Sequence, residues 1–143
     1  MTDTFPASLA RGVTRKECLD GKTLKACAFK FFKNRENGLS EMSIQWLDNW
    51  ESEDILKRMR KDEHPQFMLG FGLLQTATLD HMKTLEEYEG MDYCYARSEG
   101  NPYHGHITVP LEKDEVTKMI AAELAHRAKY VSFGELLLEE AFA

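Results

Sequence analysis

One pair among the chain's five histidines, His104 and His106, stands at i, i+2. If Tyr103 to Val109 is extended, side chains alternate, so His104, His106 and Thr108 share one face. Tyr103, Ile107 and Val109 then share the other and go to the core. Imidazole titrates near pH 6.5, so two on one face suit acid–base work near neutrality. His104 is the candidate general acid or base. His106 and Thr108, with Arg11 or Arg97, are candidates to hold an anion, and Tyr103 to contact a ligand.

Two further chemistries fit the same residues less well. A strand pair of imidazoles can share a metal, but zinc wants a third protein ligand and usually a fourth ligand or water. Asp80, His81, Asp92 and Cys94 are candidates, and nothing in the sequence brings them near, so no metal and no cofactor are expected. His106-Ile107-Thr108 matches one half of a two-histidine phosphoesterase, which needs two His-x-Thr tripeptides. No other histidine is followed by that pattern. The chain has no Gly-x-Ser-x-Gly, and Gly70-Phe71-Gly72 lacks the lysine of a phosphate loop. Glu86-Glu87 and Glu139-Glu140 read as solvated faces.

The elements that must position these residues fit one domain of 143 residues, with 43% hydrophobic and 29% charged residues. Residues 1–10 read as a loosely held arm and 134–143 as an apolar tail that docks or binds a partner. Asp20-Gly21 marks a turn. Leu24 to Phe32 is apolar on both faces and predicts a covered strand. After the turn at 34–38, Met42, Ile44 and Trp46 alternate with Glu41, Ser43 and Gln45, which predicts a strand with one wet face, hairpinned to the first. Ser52 can cap a helix that stops before Pro65.

Phe67 to Leu74 predicts a buried strand whose Gly70 and Gly72 leave room for a packed helix or a ligand. Thr84 to Gly90 suggests a short helix. Met91 to Ala96 and Gly105 to Val109 alternate as strands. A helix from near Glu112 would turn Val116, Met119, Ile120 and Leu124 to the core. The resulting fold is α+β, a mostly antiparallel sheet of about five strands packed against two longer helices.

Charge and cysteines bound the partners. Twenty-four acidic against eighteen basic residues give a net charge of −6. Such a chain is a poor default ligand for nucleic acid, whose phosphates need Lys and Arg. Lys57, Arg58, Arg60 and Lys61 read as the end of a helix, where the dipole favours cations. Cys18, Cys27 and Cys94 are odd in number with no CxxC spacing, which predicts reduced thiols. No run reaches the ~18 apolar residues of a membrane span, and no apolar leader core follows Met1. A cytoplasmic protein is expected.

Arg11-Gly12-Val13, Asp20-Gly21 with Ala28-Phe29, Gly38-Leu39-Ser40, Asn101-Pro102-Tyr103-His104 with Ile107, and the Ala-rich last helix together resemble a loose family of small uncharacterised bacterial proteins. The resemblance covers roughly residues 11–128 and implies no activity. Two functions follow as expectations. The first is a non-enzymatic interaction or accessory module of an intracellular bacterial system, its acidic surface binding a protein partner or a second copy. The second is a small hydrolase or transferase acting on a phosphorylated or nucleotide-like ligand through His104 and His106.

Overall fold

A computed structural model describes residues 5–13, 15–47, 69–97 and 103–132. The expected helix after Ser52, the apolar tail, and Asn101-Pro102 lie outside them. Among the described residues nine strands form: β1 (Ser8–Val13), β2 (Leu19–Asp20), β3 (Thr23–Leu24), β4 (Phe32–Asn34), β5 (Leu39–Leu47), β6 (Gly70–Gln75), β7 (Asp92–Tyr95), β8 (His104–Pro110) and β9 (Lys129–Ser132). Two α-helices accompany them in the same residues, α1 (Thr76–Lys83) and α2 (Val116–Arg127). Seven strands make one antiparallel sheet in the order β7-β8-β5-β1-β6-β9, with β4 also paired to β5. β2 and β3 form a separate hairpin at Asp20-Gly21, where Gly21 has φ +65°, a conformation glycine reaches without Cβ strain.

The α+β class and the antiparallel sheet agree with the sequence, but the strand count rises from about five. Among the described residues α2 is the one long helix. α1, of eight residues, was not foreseen, and β9 follows α2 directly. The segment 84–90 forms a 3₁₀ turn over Glu86–Tyr88 rather than an α-helix.

β5 is the organising strand. Met42, Ile44 and Trp46 are buried on one face, as their alternation requires. β8 runs along one edge of β5, pairing Leu39↔Pro110 through Gln45↔His104. The other edge is shared: β4 takes Leu39 to Glu41 and β1 takes Gln45 to Leu47. The edge between Met42 and Ile44 is left to neither strand.

Several expectations fail for identifiable reasons. The first ten residues are no loose arm from Phe5 onward. Leu9 and Ala10 are wholly buried in β1, between β5 and β6. Phe5 packs on Trp46 and Tyr95 with centroids 4.9 Å apart, and Thr76 donates its hydroxyl to the Pro6 carbonyl at 2.6 Å. Leu24 to Phe32 is no single strand either. β3 ends at Leu24, a 3₁₀ turn covers Ala26–Phe29, and β4 begins at Phe32. Its two apolar faces arise because Leu24 points into the core from the end of β3 and Ala28 and Phe29 from the turn, while Cys27 points out.

That turn is joined to an earlier 3₁₀ turn, Lys16–Cys18, by a Cys18–Cys27 disulfide, Cα–Cα 5.5 Å. Two of the three expected free thiols are therefore paired, and Cys94 is the free one. The chain folds back at Asp20-Gly21, so residues nine apart in sequence meet.

The core lies between the sheet and a layer of α2 and the 3₁₀ turns. Ile120, Ala121, Leu124 and Ala125 of α2 are buried, and the helix packs on Ala26–Phe29. The helix begins at Val116, after a separate turn at Leu111–Lys113, and its buried stripe leaves Met119 47% exposed. The glycines of β6 are explained by packing: a Cβ on Gly72 would come within 3.1 Å of Phe29 and Leu24, and one on Gly70 would collide with the β9 backbone. Among the described residues no helix is long and apolar enough to cross a membrane.

Candidate functional site

His104, His106 and Thr108 do share a face of β8, as alternation requires. Register brings β5 and β7 to either side of them. Gln45 sits opposite His104, Ser43 opposite His106 and Glu41 opposite Thr108. From β7, Cys94 is opposite His106 and Asp92 opposite Thr108. The polar face of β5 is thus the floor on which the histidines stand. It is sheltered: the His106 and Glu41 side chains are 22% and 14% exposed, and Gln45 is 2% exposed.

His104 has both ring nitrogens engaged. Nδ1 is 3.1 Å from the Ala96 carbonyl, and Nε2 is 2.9 Å from Ser43 Oγ. A carbonyl can only accept, so Nδ1 carries the proton in that contact. The neutral ring then presents its Nε2 lone pair to Ser43, whose hydroxyl donates. A hydroxyl, an imidazole acceptor and a third group fixing the tautomer are the parts of an activated nucleophile. The contact is diagonal across the β5–β8 ladder, within reach of a side chain as long as histidine.

His106 is held differently. Its Nδ1 lies 3.4 Å from Glu41 Oε2, while Asn34 fixes Glu41 Oε1 with a hydrogen bond of 2.8 Å. Burial drives the His106 pKa below its ordinary value and outweighs the opposing pull of Glu41; His104, 4.9 Å away between ring centroids, lowers it further. His106 is therefore neutral at pH 7. Cys94 is no rival nucleophile. Partial burial of its thiol, with Asp92 and Glu41 nearby, pushes its pKa up despite a hydrogen bond to the His106 backbone. Opposite His104, Gln45 Oε1 is buried without a hydrogen-bond partner among the described residues. An unpaired buried acceptor costs about 1–3 kcal/mol, which a ligand donor could recover.

The other expected ligand residues go elsewhere. Arg11 shares a face of β1 with Leu9 and Val13, the face opposite the histidines. Its Nη1 donates to the Ser43 carbonyl at 2.8 Å and its Nε to the Ala28 carbonyl at 3.2 Å. Arg97 stacks on Tyr95, 3.7 Å from the ring centre, and Tyr95 packs against Phe5 on the core face. Tyr103 leads into β8 and accepts the Trp46 backbone N–H through its carbonyl at 2.8 Å. The structure thus assembles His104, His106 and Thr108 but not the two arginines beside them. It adds Ser43, Glu41 and Gln45, whose signal was their polar alternation on β5.

Among the described residues no group of three or more His, Cys, Asp or Glu side chains converges as a metal site. Asp80 instead accepts the Tyr93 hydroxyl and Asp92 pairs with Lys83 at 2.9 Å. No family model, curated protein or solved structure matches the chain.

Proposed function

We propose that the protein is a small hydrolase or transferase in which Ser43 is the nucleophile and His104 its general base. The observation behind this reading is the Nδ1 contact of His104 with the Ala96 carbonyl, which leaves Nε2 as acceptor 2.9 Å from Ser43 Oγ. On attack, His104 would take the Ser43 proton and later return it to the leaving group. His106, oriented by Glu41, lies beside it as a second proton carrier. Unpaired Gln45 Oε1, Glu41 and neutral His106 form an acceptor-rich floor. That floor favours a substrate bearing N–H or O–H groups over a phosphate.

A fluorophosphonate probe and p-nitrophenyl acetate test the assignment. Native protein should be labelled at Ser43 and hydrolyse the ester. Ser43→Ala should abolish labelling, and His104→Gln should slow both reactions by roughly a hundredfold or more. Unlabelled Ser43, or an unchanged rate in Ser43→Ala, refutes the assignment.

The accessory-module reading retains one observation, the exposure of Met119 on α2, together with the acidic excess of the chain. Here a protein partner or second copy would cover Met119, in a cytoplasmic setting. Native co-purification reads it directly, and a clean monomer with no partner refutes it. In a reducing cytoplasm Cys18 and Cys27 would be thiols except under oxidation, so their state at lysis bears on the compartment.

A further inference from the structure

A second site lies on the opposite side of the sheet, where β4 and β1 leave the edge of β5. A cavity of about 310 Å³ opens there, lined by Arg11, Arg15, Lys30, the Cys18–Cys27 disulfide and Phe32, among others. It has the size of a small-molecule site. Among the described residues, three cations line it and no carboxylate does. In a chain of net charge −6 that is a local inversion of sign. The Arg11 guanidinium is held in the cavity wall by two carbonyls. Arg15 and Lys30 are exposed and can swing onto an anion.

Phe32 adds a different chemistry. It is 60% exposed and lines the cavity. The Lys30 ammonium sits 5.7 Å from its ring centroid. An open aromatic face beside clustered cations is the combination that holds a base by stacking and a phosphate by charge. We propose that this cavity binds a nucleoside phosphate, its base on Phe32 and its phosphate on Arg15 and Lys30. The site stands apart from Ser43 and His104, whose side chains face the other way.

Isothermal titration of the whole chain without reductant, at low ionic strength, tests this with AMP, inorganic phosphate and adenosine. AMP should bind roughly tenfold more tightly than phosphate, from stacking. Arg15→Ala with Lys30→Ala should weaken AMP roughly tenfold or more. Phe32→Ala should bring AMP down to the affinity of phosphate. All three positions are exposed, and circular dichroism checks that the variants fold. Ser43→Ala should bind AMP as the native chain does, which separates this site from the proposed catalytic one. No heat from AMP or phosphate at millimolar concentration overturns the proposal, as does unchanged AMP affinity in the Arg15/Lys30 variant. Equal affinities for AMP and phosphate overturn the nucleoside assignment, and adenosine binding as tightly as AMP overturns the phosphate assignment.

Discussion

Gly105, between the two histidines, has a purely structural reason to be glycine. A Cβ there would fall on the Trp46 indole nitrogen and lie 2.6 Å from the Cys94 carbonyl oxygen. Trp46 itself is wholly buried and donates its indole N–H to that carbonyl at 3.2 Å. Gly105→Ala must therefore displace either the indole or the β7 backbone. We expect a loss of about 3 kcal/mol, the upper end of ordinary overpacking, read as a lower urea midpoint by tryptophan fluorescence. An unchanged midpoint would mean the indole can move at no cost. His104 and His106 thus flank a glycine that lets the core face close, while they occupy the opposite face. Alternation in the sequence was enough to put the histidines together. It could not show Ser43 or Glu41 beside them, because β5 and β8 are joined only by pairing between residues some sixty positions apart.

At the scale of elements, the shared edge of β5 is the feature that matters. β1 and β4 lie end to end along it, and Arg11 fills the interval by bonding the carbonyls of Ser43 and Ala28. Strand pairing ordinarily satisfies such carbonyls; here a side chain does. Arg11→Met keeps much of the side-chain bulk and removes both donors. Each part-buried carbonyl left unpaired costs about 1–3 kcal/mol, so stability should fall by at least that amount in chemical denaturation. Retained stability would show that water replaces the guanidinium freely. Sequence placed Arg11 among the anion-holding residues because a guanidinium suits an anion. A gap between two strands that meet a third from the same side has no signature in any of their sequences.

Over the whole molecule, two sheltered groups contribute to the pH dependence of stability at opposite ends of the range. His106 has its pKa lowered in the folded state from an ordinary value of 6.5, chiefly by burial. The unfolded chain therefore takes up its proton first as pH falls, and the stabilisation present above pH 6.5 is lost on acidification. The urea midpoint should drop between pH 7.5 and 5.5, and His106→Gln should flatten that part of the curve. Tyr93 acts at the other end. Burial first, then its hydrogen bond to Asp80 and the charges of Asp80 and Asp92, push its pKa from 10.0 up to about 12. The unfolded chain ionises first, so stability present below pH 10.0 is lost as pH rises toward 12, and Tyr93→Phe should reduce that loss. A midpoint that ignores both substitutions would refute the assignment.

What the sequence determined by itself was local: the alternation of β5, β7 and β8, the turns at Gly21 and Gly38, the α+β class, and the common face of His104, His106 and Thr108. These follow from side-chain period and from glycine's freedom at positive φ, which act over a few residues. Tertiary structure alone decided which strands lie side by side. That choice set Ser43 against His104, sent Arg11 to the opposite face, brought Cys18 to Cys27, and turned Met119 outward. Each of these depends on register between distant segments, fixed by how the whole core closes and not by any one stretch of chain.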